Sequence, residues 1–303
     1  MNTKTIKSMK YMLLSACLVA VGLMIAPSAH AQGNPQNRPR EMPQHHKIIR
    51  DLRYGEKRSD IPADDADQDR IMDIHIPSTA KPAKGYPVVL FVHGGGFSHN
   101  TKAYYPGNAG FFDKIVDRGY AIVSINYCLT LKNKPKTGGG GGTGKGFPAD
   151  GKYPEGFQNA IDDAVTDAVV ALKWIWKEGK KYGLDRNKVV ISGGSAGAIT
   201  SLYTAFTRAP KKPKLRGVIN LWGAIASPSL IQNPDIPVLT FHGDKDDLVS
   251  VEYGKGIQKR LEEIGSKDSR LILMEGRGHA QYRYVGEERM GDVLPFLDKV
   301  FAR

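Results

Sequence analysis

The stretch Lys188-Val189-Val190-Ile191-Ser192-Gly193-Gly194-Ser195-Ala196-Gly197-Ala198 decides the fold. Its start is β-branched and apolar, which predicts a buried strand, and residues 198–206 predict a helix packed against that strand. Between them Gly193, Ser195 and Gly197 match G-x-S-x-G, a strand–turn–helix pattern that holds a serine at a strained backbone angle. Glycines on either side let strand and helix approach without a Cβ clash. So short a pattern also occurs by chance, and its meaning depends on the rest of the chain.

Apolar strands alternate with helices on both sides of this stretch. Strands are predicted at 48–54, 71–76, 87–92, 120–126, 188–191, 217–222, 237–242 and 270–274. Helices are predicted at 107–119, 159–181, 198–206, 251–264 and 293–301. This alternation is typical of an α/β fold, in which a mostly parallel central sheet is flanked by helices on both faces. The sequence therefore predicts a single domain over residues 46–303.

Residues 1–31 have the features of a secretory signal peptide. Lysines precede the apolar run 11–25, and Ala29-His30-Ala31 is a small-x-small cleavage site. The apolar run is shorter than the roughly 20 residues that a membrane-spanning helix needs. We therefore expect an exported protein, periplasmic or secreted, that is cleaved near Ala31 and is not stably inserted in a membrane. Residues 32–45 are rich in Pro, Asn, Gln and Arg, and are predicted to be a disordered leader.

The chain is basic, with a formal net charge of +12, or +9 once the three lysines of residues 1–31 are removed. The cations are scattered and are not interleaved with aromatic residues, so we expect a solvated basic surface and no nucleic-acid partner. Of the two cysteines, Cys17 lies in the predicted signal peptide and Cys128 remains alone. A single cysteine forms no intramolecular disulfide, so the fold must rely on its core.

A nucleophilic serine needs a base and an acid that orients the base. His279 follows the last predicted strand, in a small and flexible setting at 276–280, which favours it as the base. The loop after the preceding strand offers three aspartates, Asp244, Asp246 and Asp247. Spacing alone does not choose among these three.

The donors for the oxyanion are expected to be backbone N–H groups. The apolar strand 87–92 runs into three consecutive glycines in His93-Gly94-Gly95-Gly96, which suit a backbone that turns its N–H groups towards a ligand. The N–H of Ala196, the residue after the serine, would complete the set. The chain order serine, aspartate, histidine is that of α/β-hydrolases and differs from the orders of chymotrypsin and subtilisin.

Five motifs occur in this order: His93-Gly94-Gly95-Gly96-Phe97, Asn126-Tyr127-x-Leu129, Gly193-Gly194-Ser195-Ala196-Gly197, His242-Gly243-x-x-Asp246-x-x-Val249 and Gly278-His279. Through them the chain from Tyr86 onwards resembles an α/β-hydrolase of the carboxylesterase and acetylesterase type. The resemblance implies that Asp246 is the acid, with Asp247 as the alternative. It also implies that Gly95 and Gly96 join Ala196 in the oxyanion hole, and that no metal or organic cofactor is required.

The resemblance implies a serine esterase that forms an acyl-enzyme on short-chain or aryl esters. Exported relatives commonly remove acetyl or feruloyl groups from plant polysaccharides, so a small ester or an acylated carbohydrate is the expected substrate. A small amidase of the arylformamidase type is the alternative, and a non-catalytic binding protein with this fold is less favoured. The sequence does not predict the oligomeric state.

Three positions depart from the family pattern. Gly194 replaces the acidic residue or histidine that often precedes the nucleophile, and Cys128 stands where an arginine is common. The glycine-rich insert 132–156 is longer than usual. Together with Phe97 and Trp222, this insert is predicted to shape the substrate pocket.

Overall fold

Eight strands form one sheet in the computed structural model of the chain, which describes residues 46–59, 68–103, 109–132 and 155–303. All of the described residues belong to one compact unit, Glu41–Arg303. The predicted signal peptide, the predicted leader and most of the glycine-rich insert lie outside them. The strands are Lys47–Arg53 (β1), Ile71–Ile76 (β2), Tyr86–Val92 (β3), Ala121–Ile125 (β4), Leu184–Gly194 (β5), Leu215–Leu221 (β6), Val238–Gly243 (β7) and Arg270–Met274 (β8).

The strand order is β1-β2-β4-β3-β5-β6-β7-β8. β2 pairs antiparallel with β1 and with β4, whereas the pairs from β4 through β3 to β8 are parallel. The carboxyl ends of β3, β5, β7 and β8 therefore meet at one edge of the sheet, which is where ligand sites form in parallel α/β folds. The five predicted motifs follow β3, β4, β5, β7 and β8, and they lie at that edge.

Six helices of the described part of the chain cover the sheet: Ala109–Asp117 (α1), Glu155–Glu178 (α2), Ala196–Thr207 (α3), Val251–Glu263 (α4), Tyr282–Glu288 (α5) and Met290–Ala302 (α6). Alternate residues of β3 point to opposite faces, so Leu90 packs in one hydrophobic cluster with Leu172 of α2, whereas Phe91 packs in a second with Ile115 of α1. The first cluster also holds side chains of α3 and α4, and the second those of α5 and α6. The predicted fold class is confirmed.

The sequence does not predict α5, which is short and polar. Gly286 lies in its middle because the helix crosses α1 closely: a Cβ at Gly286 would lie 2.6 Å from the backbone nitrogen of Phe111. The glycine that allows this close packing has a low helix propensity, so the sequence pattern of the helix is weak. As a consequence, α5 places Tyr282 against the turn that holds Ser195 between β5 and α3, which we call the serine turn.

Candidate active site

The turn between β5 and α3 holds Ser195 in a strained conformation, with φ 55° and ψ −122°. The Ser195 N–H donates to the Leu221 carbonyl of β6 at 2.9 Å, and its carbonyl accepts from the Ile199 N–H at 2.9 Å, which starts α3. The serine is therefore fixed between a strand end and a helix N-terminus. This is the geometry that the G-x-S-x-G pattern predicts.

The glycines of this turn are required by the backbone packed against them. A Cβ at Gly193 would lie 2.4 Å from the carbonyl carbon of Gly197, and a Cβ at Gly197 would lie 2.0 Å from the carbonyl oxygen of Val92 in β3. Because these neighbours are backbone atoms, they cannot rotate away. The two glycines bring β3, β5 and α3 together under Ser195.

His279 lies between Ser195 and Asp246. Its Nε2 is 2.9 Å from Ser195 Oγ, and its Nδ1 is 2.8 Å from Asp246 Oδ2. A carboxylate only accepts hydrogen bonds, so Nδ1 carries the proton and Nε2 is left to accept from the serine hydroxyl. The three residues that the sequence places in a triad are brought together in one hydrogen-bonded chain.

Of the three candidate aspartates, Asp246 is the one that contacts His279, and its side chain is buried. Asp244 and Asp247 are exposed. Its Oδ1 accepts from the N–H groups of Leu248 and Val249 at 3.0 and 2.9 Å. Burial by itself raises the pKa of Asp246, but hydrogen bonds from His242, His279 and Val249 outweigh that cost and hold the pKa well below its ordinary value. The carboxylate is therefore ionised beside His279 at neutral pH.

His242 supports Asp246 from behind and is fully buried. Its Nε2 donates to the Val249 carbonyl at 2.7 Å and lies 3.5 Å from Asp246 Oδ2. The next residue, Gly243, lets two loops approach, because a Cβ there would lie 2.2 Å from the Arg277 carbonyl oxygen. The His-Gly pair of the motif thus positions the acid and the histidine loop together.

Residues 93–96 form a loop over Ser195, which we call the oxyanion loop. Gly95 and Gly96 have positive φ angles of 116° and 60°, where glycine is favoured. Within the described part of the chain, their N–H groups make no backbone hydrogen bond. A Cβ at Gly94 would lie 2.8 Å from the Gly194 carbonyl oxygen and 3.5 Å from Ser195 Cβ. The loop and the serine turn are therefore in direct contact.

Side chains hold the oxyanion loop in place. The Tyr127 hydroxyl donates to the His93 carbonyl at 3.0 Å, and the two rings stack with centroids 4.4 Å apart. His93 Nδ1 donates to the Gly94 carbonyl at 2.7 Å, and Asn100 Nδ2 donates to the same carbonyl at 3.3 Å. Burial lowers the pKa of His93 to about 4, so the ring is neutral at neutral pH. The Asn-Tyr motif after β4 thus shapes the loop after β3.

Tyr282 also belongs to the site, although the sequence does not indicate it. A Cβ at Gly194 would lie 2.0 Å from the Tyr282 hydroxyl oxygen, and a Cβ at Gly94 would lie 3.2 Å from it. The rings of Tyr282 and Trp222 are in edge contact, with their centroids 4.7 Å apart. Tyr282 therefore occupies the space beside the residue before the serine, which explains why that residue is glycine here. Only the tertiary position of α5 reveals this contact.

The sequence predicts that Phe97 and Trp222 shape the substrate pocket, and this role stays a prediction. Both side chains are fully buried. Phe97 packs against Tyr127 and Phe157 in the first hydrophobic cluster, whereas the Trp222 ring lies 6.3 Å from the His279 ring, in edge contact. Phe97 thus belongs to the first hydrophobic cluster and Trp222 to the second, and both pack close to the site.

Among residues 46–59, 68–103, 109–132 and 155–303, no group of three or more His, Cys, Asp or Glu side chains is arranged to hold a metal ion. No helix in that part of the chain is long and apolar enough to cross a membrane.

Two acyl-protein thioesterases are similar to this protein over most of the chain. It is 28% identical over 240 residues to acyl-protein thioesterase 1 of Debaryomyces hansenii, covering 76% of this chain and 97% of that protein. It is 27% identical over 244 residues to acyl-protein thioesterase 1 of Candida albicans, covering 76% and 98%.

Solved structures with the same fold include esterases. A truncated carbohydrate esterase from gut microbiota superposes with a TM-score of 0.61 at 16% identity, covering 86% of this chain and 99% of that chain. The propionate-bound thermophilic esterase Est2 of Thermogutta terrifontis superposes with a TM-score of 0.59 at 18% identity, covering 87% and 97%. At these identities the likeness concerns the fold.

The sequence model of the phospholipase/carboxylesterase family of α/β-hydrolases matches residues 74–301. This range holds β3 to β8, the serine turn, the oxyanion loop and the loops that carry Asp246 and His279. The chain belongs to the phospholipase/carboxylesterase family and is an esterase- or thioesterase-type hydrolase.

Proposed function

We propose that this protein is a serine esterase that works through an acyl-enzyme, with Ser195 as nucleophile, His279 as general base and Asp246 as the residue that orients the base. The hydrogen-bonded chain from Ser195 Oγ through His279 to Asp246 Oδ2 carries the proposal. A non-catalytic binding protein would need neither the strained serine nor the buried carboxylate.

In the first half of the reaction, Ser195 Oγ bonds to the carbonyl carbon of the ester, and its proton passes to His279 Nε2. The imidazolium that forms is stabilised by the ionised Asp246, which stays a carboxylate because its pKa is low. The proton then moves from Nε2 to the alkoxide that leaves. In the second half, water gives its proton to Nε2 and attacks the acyl carbon, and the acid is released as Ser195 regains its hydrogen.

Negative charge on the carbonyl oxygen needs donors that are already in place. The N–H groups of Gly95, Gly96 and Ala196 are proposed for this role, because Gly95 and Gly96 lie in the loop that contacts Ser195 and Ala196 is the first residue of α3. Removing one such donor from an enzyme of this kind costs roughly 3 to 4 kcal/mol. No metal ion or organic cofactor takes part in these proposed steps.

For the substrate, we propose short-chain or aryl carboxylic esters, including acetyl or feruloyl groups on plant polysaccharides. The carbohydrate esterase with the same fold supports the plausibility of a sugar-linked ester. The expected export after cleavage near Ala31 would place the enzyme where such polymers occur.

Thioester hydrolysis is the second candidate, because the two acyl-protein thioesterases match over three quarters of the chain. Attack by Ser195 on a thioester forms the same acyl-enzyme, and His279 protonates a thiolate in place of an alkoxide. The two candidates therefore differ in the leaving group.

A substrate series distinguishes these candidates. Turnover of p-nitrophenyl esters of increasing acyl length is measured beside acetylated xylan, methyl ferulate, a palmitoyl thioester and an anilide. Short-chain preference with acetate release from xylan supports the polysaccharide esterase. Preference for the palmitoyl thioester would replace it with the second candidate, and activity on the anilide alone would favour the amidase.

The variant Ser195→Ala serves as the control for every substrate. We expect it to lose roughly 10⁶-fold in kcat, as removal of a nucleophilic serine does in other triads. Circular dichroism should match the wild type. An active Ser195→Ala protein would refute the proposed mechanism.

A further inference from the structure

A groove of about 600 Å³ lies outside the candidate active site. One wall is formed by the end of β1 and the residues after it, and the other by the second half of α2 with the 3-10 turn Gly179–Tyr182. None of Ser195, Asp246 and His279 lines it. The groove is therefore a separate feature, and the mechanism proposed above does not use it.

Four cations line the groove. Lys173 and Lys177 lie about 6 Å apart along one side of α2, and Lys181 follows in the 3-10 turn; all three are exposed. Arg53 lies on the other wall, where its guanidinium donates to the Asp69 carbonyl at 2.6 Å. Regular spacing of this kind suits an extended ligand that carries repeated negative charges.

Two aromatic rings also line the groove. Trp174 and Tyr182 lie with their ring centroids 5.2 Å apart and their planes inclined by 35°. Both are half-buried against the hydrophobic core, so each ring is fixed and keeps part of its surface exposed. Rings held in this way offer apolar surface for the C–H face of a sugar.

Two carboxylates complete the lining and narrow the class of ligand. Glu178 pairs with Lys181 and lies 3.9 Å from Lys177 Nζ, and Glu56 lies on the opposite wall. Carboxylates accept hydrogen bonds from hydroxyl groups. A ligand with hydroxyl donors and carboxylates matches this mixture, whereas the phosphodiester backbone of DNA offers charge without donors.

A membrane surface fits the groove less well than a sugar chain. Firm peripheral binding to lipid combines basic residues with exposed apolar side chains that enter the acyl region. Within the described ranges, the large apolar side chains that are exposed are Leu248 and Leu273, and neither lines the groove.

The geometry points to a binding site for an acidic oligosaccharide, a chain of sugar rings that bear carboxylates. The lysines and Arg53 would bind the carboxylates, the aromatic rings would contact the sugar faces, and the glutamates would accept from hydroxyl groups. This site goes beyond the proposed function, because it requires no chemistry at Ser195. Its ligand need not carry an ester.

Isothermal titration with an unesterified galacturonate hexamer tests the site, beside a neutral xylose hexamer. The double variant Lys173→Glu/Lys177→Glu reverses two groove charges. Lys259→Glu/Lys267→Glu changes the net charge equally on a different surface, since both of these lysines are exposed and do not line the groove. Turnover of p-nitrophenyl acetate, measured on each protein, reports the candidate active site independently.

We expect the acidic hexamer to bind the wild type and the Lys259/Lys267 variant equally, and the groove variant at least about tenfold more weakly, because close complementary charges are lost. Ester turnover should stay within about twofold in all three proteins. Equal loss in both variants, or equal binding of the neutral hexamer, would overturn the inference. So would tighter binding of single-stranded DNA or anionic phosphatidylglycerol vesicles through the same lysines.

Discussion

The serine turn and the loops that face it are held by different forces. At Gly193 and Gly197, an added Cβ would lie 2.0–2.6 Å from backbone atoms. In the loops at 93–96 and 244–249, polar side chains hold the chain through hydrogen bonds of 2.7–3.3 Å. Backbone atoms in contact with the turn can make room for a Cβ only if strand and helix move apart, whereas the hydrogen bonds of the loops can be lost one at a time. Substitutions that add a Cβ in the turn should therefore abolish ester turnover and reduce stability strongly. Substitutions that remove single hydrogen bonds from the loops should have smaller effects.

Gly197→Ala should give the largest effect. The new methyl group would lie 2.0 Å from the Val92 carbonyl oxygen, so β3 and α3 must separate. We expect a stability loss of about 3 kcal/mol or more and loss of ester turnover. Urea denaturation and p-nitrophenyl acetate hydrolysis measure the two effects.

Gly291→Ala is the matched control, because Gly291 is also the second residue of a helix and an added Cβ there meets no atom within 4 Å. Alanine is favoured over glycine in helices, so this variant should be unchanged or up to about 1 kcal/mol more stable. Equal behaviour of the two variants would disprove the role of backbone contact at Gly197.

Asp246→Asn should reduce kcat by about 10⁴-fold and leave the fold intact, because the amide no longer holds His279 in the tautomer that accepts the serine proton. Asp247→Asn should remain within a few-fold of the wild type, since Asp247 is exposed. Steady-state kinetics on p-nitrophenyl acetate compare the two. A larger loss in Asp247→Asn would reassign the acid.

Asp246→Asn also tests the lowered pKa of Asp246. Its pKa in the folded protein is lowered, so the ionised group stabilises the fold at pH values above the ordinary pKa of about 3.9. That contribution is lost as the pH falls towards the folded pKa. Stability measured between pH 6 and pH 2 should therefore fall more steeply in the wild type than in Asp246→Asn. Parallel curves would contradict the lowered pKa.

Gly194→Ala separates backbone packing from side-chain packing within the turn. Here the new methyl group meets the Tyr282 hydroxyl at 2.0 Å, and a side chain can move. We expect a smaller stability loss than in Gly197→Ala, about 1–3 kcal/mol, with reduced turnover. The double variant Gly194→Ala/Tyr282→Ala should show a favourable coupling energy in a double-mutant cycle of unfolding free energies. Additive effects would show that Tyr282 is not what excludes a side chain at Gly194.

Tyr127→Phe should give the smallest effect. It removes the 3.0 Å hydrogen bond to the His93 carbonyl and keeps the stacked ring. We expect a loss of about 1 kcal/mol in stability and a few-fold fall in kcat/KM. Tyr86→Phe removes a similar bond, to the Thr79 carbonyl, on another part of the molecule. It should cost similar stability and leave kcat/KM unchanged; an equal kinetic loss would argue against positioning by Tyr127.

The sequence predicts the parts of the fold that depend on local pattern. Continuous apolar runs identify the strands because both faces of the sheet are covered, and the glycine motifs mark the strand ends. The choice of Asp246 over Asp247 required the family resemblance. In the structure, the physical reason is the turn after Gly243, which buries Asp246 and exposes its neighbour.

The parts that the sequence does not predict depend on contacts between distant segments. Tyr282 meets Gly194 only because α5 folds against α1 through Gly286. Trp222 is buried in edge contact with both His279 and Tyr282, which the sequence does not predict. Local propensity and motif spacing do not predict which distant side chains such a residue will contact.

Covalent trapping tests the role of Ser195 most directly. The protein is mixed with p-nitrophenyl acetate, quenched in acid, digested and analysed by mass spectrometry. We predict one acetyl group on the peptide that contains Ser195, and none in Ser195→Ala. His279→Gln should form and release the acetyl-enzyme slowly, since the base takes a proton in both half-reactions. An acetyl group on another residue, with turnover retained in Ser195→Ala, would contradict the proposed mechanism.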